Sequence, residues 1–139
     1  MPALDRYHEA VRNALIKDGW TITDDPLTLT VGADRIHIDL AAERVIAAYK
    51  GVRKIAVEIK TFAGASRIAD LESALGQYVL YRMALRRTEP DRELFLAVPQ
   101  PVVINQFQRR ELWKAFFTDE NGQVIGYDVE IEEIVQWLP

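Results

Sequence analysis

The 139-residue sequence predicts one α/β (α+β) domain, residues 1–139, in which a mixed central β-sheet is flanked by helices. Three observations predict it. Helical and extended patterns follow in the order helix, short strands, long helix, single strand, helix and closing strands. The stretch Arg35 to Phe62, RIHIDLAAERVIAAYKGVRKIAVEIKTF, reads as three consecutive strands, the makings of an antiparallel meander. Leu94 to Val98 is apolar without alternation, as expected of a strand covered on both faces and reached through a helix. A chain of this length can bury a core of ordinary size.

Leu4 to Lys17 predicts the first helix, because Leu4, Tyr7, Val11, Ala14 and Leu15 share a face and Gly19 follows as a stop. Trp20 to Thr23 is extended, and Asp24-Asp25-Pro26 breaks it. Leu27 to Val31 alternates apolar residues with threonine, a short strand, and Gly32-Ala33-Asp34 turns the chain. Ile36, Ile38 and Leu40 alternate with Arg35, His37 and Asp39, so a half-buried strand is expected with Asp39 near its end. A second strand covers Arg44 to Tyr49, Lys50-Gly51 makes a tight turn, and a third strand covers Lys54 to Thr61. In that third strand Ile55, Val57 and Ile59 take one face while Ala56, Glu58 and Lys60 take the other. Gly64 to Ser66 opens a helix running to Arg87, with Ser66 as N-cap and Ile68, Leu71, Leu75, Tyr78 and Val79 as its apolar stripe. After a loop through Pro90 and the buried strand, Asn105 to Phe117 predicts a helix with Phe107, Leu112, Trp113 and Phe116 apolar. Val124 to Val129 and Ile134 to Leu138 close the sheet.

Hydrophobic residues make up 49% and charged residues 27%, the balance of a soluble globular protein. No apolar run approaches the roughly 20 residues that span a bilayer. The N-terminal MPALDRYHEAV lacks a basic segment followed by an apolar one, so no secretory signal is expected. The absence of cysteine excludes disulfides, thiolate metal sites and a cysteine nucleophile. Together these features predict a cytoplasmic protein without membrane association. A net charge of −4 speaks against a dedicated nucleic-acid binder, although Arg82, Arg86 and Arg87 cluster locally, as do Arg109 and Arg110. There is no glycine-rich phosphate loop, HExxH motif or zinc-finger spacing.

Chemistry concentrates in Asp39, Glu58 and Lys60. Two carboxylates at adjacent strand positions suit a divalent cation such as Mg²⁺ or Mn²⁺, and the backbone carbonyl of Ile59 offers a further oxygen. A lysine beside them orients or deprotonates a water and steadies charge developing on a phosphate. A bare E-x-K is ordinarily a surface ion pair; its place in a β-branched central strand, where an uncompensated charge is expensive, lowers that reading here. Gln77 and Tyr81, four apart on the long helix, share a face from which they reach the lysine, metal-bound waters or a phosphate. The plainer reading of that pair is a polar helix flank with a half-buried tyrosine. Trp113, Phe116 and Phe117 read as core, and Asp119, Glu120, Glu130, Glu132 and Glu133 as solvated turns.

Asp39, the Glu58-Ile59-Lys60 triplet and the Gln77-x-x-x-Tyr81 helix resemble the PD-(D/E)xK nuclease superfamily, with its restriction-endonuclease-like fold. The glutamine and tyrosine resemble the extra motif of its RecB-like branch. More closely, the chain is similar to the XisH family of fdxN element excision controlling factors. YHEAVRNALIKDGWTITDDPL, HIDLAAERVIAAYKGVRKIAVEIKTF, ALGQYVLYRMAL, LFLAVP and IVQWLP carry that similarity over nearly the whole chain. XisH proteins are implicated in developmentally regulated excision of a DNA element from cyanobacterial chromosomes, alongside a separate site-specific recombinase and a small protein, XisI. The resemblance therefore implies DNA, a XisI-like protein and a recombinase as partners, with a homo-oligomer as a further arrangement.

Carried over residue by residue, the resemblance makes Asp39 and Glu58 ligands of Mg²⁺ or Mn²⁺, Lys60 the catalytic lysine, and Gln77 and Tyr81 auxiliary. Many superfamily members also place an acid on the first helix, a set distance before the aromatic that follows. Counting back from Trp20 gives His8 instead, with Glu9 beside it. His8 is the preferred candidate, to ligate a metal or bond a phosphate. Its plainer reading is a core-edge histidine satisfied by a backbone carbonyl. The superfamily's proline is replaced by Ile38. Two functional readings follow: a metal-dependent DNA endonuclease acting in excision, or a catalytically inactive nuclease-fold subunit acting with a XisI-type partner.

Overall fold

A strand as apolar as Leu94 to Val98 is stable only with cover on both faces, and the computed structural model, which describes residues 3–47 and 51–139, supplies that cover. Helix α1 (Ala3–Lys17) precedes five strands, β1 (Thr21–Asp24), β2 (Leu27–Val31), β3 (Asp34–Ile38), β4 (Leu40–Ala47) and β5 (Gly51–Ile59). Helix α2 (Arg67–Thr88) leads to β6 (Arg92–Pro99), followed by α3 (Gln100–Val102), a π-helical turn (Val103–Phe107) and α4 (Glu111–Thr118). Strands β7 (Val124–Asp128) and β8 (Glu133–Leu138) complete the fold. Six strands form one mixed sheet in the order β1-β4-β5-β6-β7-β8, while β2 and β3 pair as a separate hairpin. The central neighbours β5 and β6 run parallel, joined through α2, and β7 lies parallel to β6. β1, β4 and β8 are antiparallel to their neighbours.

Alternation along β5 distributes its side chains between two cores. Ile55 and Val57 face α1, packing with Val11, Leu15, Trp20, Phe95 and Tyr127. Ala56 faces the other side, where Leu71, Tyr78, Leu96, Phe107, Trp113 and Phe116 gather beneath α2 and α4. Each fully buried Leu, Ile or Phe contributes about 1.5–3 kcal/mol, so the two cores clamp β5 from both sides. Among the described residues, no helix is long and apolar enough to cross a membrane.

The predicted meander is only half realised. β3 leaves the main sheet, and β1 takes the place beside β4 through the pairs Thr21↔Glu43 and Ile22↔Ala42. The reason lies in Leu40-Ala41-Ala42, which are wholly buried and paired with Val57, Ala56 and Ile55. This stretch begins β4 four residues before Arg44, and its unalternating alanines carry no strand signature. Asp39 therefore sits at a bend between β3 and β4, not inside a strand. Tyr49 and Lys50 lie outside the described residues, as does the side chain of Leu4; Gly51 opens β5 with a φ of 84°, which favours glycine.

The helix expected over Asn105 to Phe117 is divided. Pro101 lets the chain turn helical early, the Gln108 N–H donates to the Val103 carbonyl at 2.9 Å, and Arg110 is extended before α4 begins. Leu112 consequently points outward, 66% exposed, while Trp113 and Phe116 are core. On α2 the Ser66 hydroxyl accepts from the Ala69 N–H, the expected cap. Its buried stripe runs through Leu71, Ala74, Tyr78 and Leu85, leaving Ile68 exposed.

Candidate active site at the end of the parallel strands

The carboxyl ends of β5 and β6 emerge side by side, and the ladder continues one residue past β5, where the Lys60 N–H donates to the Ala97 carbonyl at 3.0 Å. The loop after Lys60 and the first turns of α2 wall a cavity of about 480 Å³ at this end. His8, Asp39, Glu58, Lys60, Asp70 and Ser73 line it, together with Ile59 and the loop through Gly64.

Register explains the acid pair. Leu40 pairs with Val57, which brings the residue before Leu40 level with the residue after Val57. The Asp39 N–H donates to Glu58 Oε1 at 3.2 Å, and the Ile59 N–H donates to Asp39 Oδ2 at 2.8 Å. Each carboxylate thus accepts, through one oxygen, a backbone N–H from the other acid's segment of chain. Lys60 Nζ stands 3.8 Å from Glu58 Oε2.

Glu58 is 7% exposed, and burial, followed by the negative charge of Asp39, pushes its carboxyl up to about 8 against the pull of Lys60. Tyr81 is pushed up to about 12, first by burial and then by the charges of Glu58 and Asp39. This helical tyrosine therefore lies in the field of the acid pair, though it does not line the cavity. Neither does Gln77, whose Oε1 is buried without a hydrogen-bond partner.

His8 reaches the cavity from α1, and its Nε2 lies 2.7 Å from Asp25 Oδ1, so its partner is a carboxylate and not the backbone carbonyl of the plainer expectation. Glu9 is exposed. Sequence reasoning passed over Asp25, read as a strand breaker before Pro26, and over Asp70. Asp70 Oδ2 accepts the Gly64 N–H at 3.0 Å, and an added Cβ at Gly64 would stand 2.5 Å from Asp70 Oδ1. The available signal for Asp70 was its place in the first helical turn, where acids are common for dipole reasons alone.

The donor set suits a hard divalent cation. Mg²⁺ takes one or two carboxylates and fills its remaining positions with water and phosphate oxygens, and two adjacent carboxylates match that demand. Like charges crowded in a half-buried site also favour a cation between them. Among the described residues, no group of three or more His, Cys, Asp or Glu gathers to hold a metal, which disfavours an all-protein cage.

Fold and site together define a mixed-sheet α+β protein with two mutually clamped acids and a lysine at the end of its parallel strands. The family model for XisH protein matches residues 1–135, and the chain belongs to the XisH family. The structure is similar to that of an XisH family protein from Nostoc punctiforme, with a TM-score of 0.86 and 43% identity over 97% of this chain and 100% of that one. It is equally similar to a fdxN element excision controlling factor protein from Anabaena variabilis, with a TM-score of 0.86 and 46% identity over 97% and 99% of the two chains. Comparison with curated proteins gives no match.

Proposed function

We propose that this protein acts in site-specific excision of a DNA element as a Mg²⁺- or Mn²⁺-dependent endonuclease, its sheet serving as a restriction-endonuclease-like frame for a PD-(D/E)xK site. The observation that carries this reading is the reciprocal clamp between Asp39 and Glu58, with Lys60 3.8 Å from Glu58. A buried acid beside a second acid is unfavourable for folding and is useful where a cation must be held. Asp39 and Glu58 would hold the cation, with the Ile59 carbonyl as a further oxygen. When bound, the cation neutralises charge on a phosphodiester and lowers the pKa of a bound water. Lys60 would orient an attacking water and steady the charge that develops on phosphate. Gln77 and Tyr81 support the site from α2, Gln77 with an amide oxygen that has no other partner.

A second reading, a nuclease-fold subunit that binds a XisI-type partner without cutting, draws on the net charge of −4 and on Val45, Ile46 and Val52, exposed where the end of β4 pairs with the start of β5. Cleavage of supercoiled DNA in Mg²⁺ or Mn²⁺ separates the two. Wild-type activity lost in both Glu58→Ala and Lys60→Ala supports the nuclease. Activity absent from the wild type, or equal in all three proteins, supports the binding subunit.

A further inference from the structure

We infer that Asp25 is a positioning residue for the candidate site, fixing His8 so that its Nδ1 holds a water beside the acid pair; this rests on the hydrolytic reading above. His8 and Arg12 are four apart on α1 and therefore share a face. Asp25, in the turn between β1 and β2, faces both: Oδ1 lies in hydrogen-bond reach of His8 Nε2 at 2.7 Å, and Oδ2 pairs with the Arg12 guanidinium, 3.2 Å from its Nε. Arg12 thus restrains the carboxylate that restrains the imidazole. The three side chains are 29–38% exposed, so the contacts are partly shielded from solvent.

The chemistry of the ring sets the rest. A carboxylate only accepts, so the nitrogen facing Asp25 must carry the proton. That commits Nε2 as donor and leaves Nδ1 of the neutral ring as an acceptor. His8 lines the cavity with Asp39, Glu58, Lys60 and Asp70. Diester oxygens of phosphate carry no proton to donate, so of the groups entering the cavity from solvent this nitrogen takes a water. The other histidine offers a contrast: His37 Nδ1 bonds the Thr28 hydroxyl at 3.0 Å on the β2–β3 hairpin, and it does not line the cavity. The Arg12–Asp25–His8 chain thus reaches the cavity from the first helix.

The test combines histidine ¹⁵N NMR with cleavage kinetics. The chain has two histidines, so a His37→Gln background reports His8 alone. At pH 8 the expected spectrum shows the Nε2–H tautomer, and Asp25→Ala removes that preference. Asp25→Asn, which keeps the shape of the turn, and circular dichroism of each variant control for misfolding. In supercoiled-DNA cleavage, Asp25→Ala and His8→Ala each lower kcat by about 10- to 100-fold with KM little changed, and the double variant is no worse than either alone. An unchanged His8 tautomer in Asp25→Ala overturns the inference, as does normal kcat in that variant where His8→Ala is slow. A wild type that cleaves nothing overturns both the hydrolytic reading and the role of the held water, whereas a tautomer failure in an active enzyme overturns the positioning alone.

Discussion

Glu58 and Arg92 are the buried charged side chains among the described residues, each 7% exposed, and they sit at opposite ends of the β5–β6 pair. Arg92 is satisfied. Its Nη1 donates to the Ile55 carbonyl and its Nε to Glu89, both at 3.0 Å, and Glu43 lies 3.8 Å from its Nη2. The guanidinium thereby ties β6 to β5 and to the loop after α2. Glu58 is held by fewer groups. It accepts one backbone N–H, faces a second acid, and has its lysine at 3.8 Å. The same degree of burial thus serves architecture at one end of the strands and, in the proposed reading, cation binding at the other. A buried group tied by many partners holds a fold together; one strongly perturbed beside a second acid is a candidate for ligand binding.

Substitution at the two ends should separate these roles. The largest expected effect is catalytic: Glu58→Ala and Lys60→Ala lower Mg²⁺-dependent DNA cleavage by at least about 100-fold, read by plasmid nicking. Arg92→Met leaves cleavage chemistry intact but lowers stability by about 3 kcal/mol in urea denaturation, since it strands the Ile55 carbonyl and the acids around it. Glu58→Gln moves stability in the opposite direction. Glu58 ionises near its ordinary 4.5 when unfolded and near 8 when folded. Its contribution is therefore fully present below pH 4.5 and is lost as pH rises through 8. Glu58→Gln should raise the melting temperature more at pH 9 than at pH 5, and Mg²⁺ should raise the melting temperature of the wild type at pH 9 but not that of the variant. The smallest effect belongs to Tyr81→Phe, which removes one hydroxyl from the field of the acids and slows cleavage by less than about tenfold. Stabilisation by Glu58→Gln that is equal at both pH values would erase the contrast between the two ends.

What the sequence disclosed follows the range of the signal. Glu58 and Lys60 share a face by simple alternation, a local rule, and the Ser66 cap and the buried run of β6 are equally local. Asp39 was legible as the second acid, but its bend was not, because Leu40-Ala41-Ala42 are buried on both faces and show no period. The exchange of β3 for β1 beside β4 is a long-range pairing that no neighbouring residue announces. The same holds for Asp25, which is punctuation in the sequence and a partner of His8 only after the chain has folded. The π-helical turn after Pro101 was hidden because apolar Val103 and Phe107 also fit an ordinary helix.

The most direct test of the Asp39–Glu58 clamp is anomalous diffraction from crystals soaked in Mn²⁺. A manganese peak within ligand distance of both carboxylates, absent from Glu58→Gln crystals soaked in the same way, is the expected result. Ordered Asp39 and Glu58 side chains with no manganese between them at saturating Mn²⁺ would contradict a cation site there.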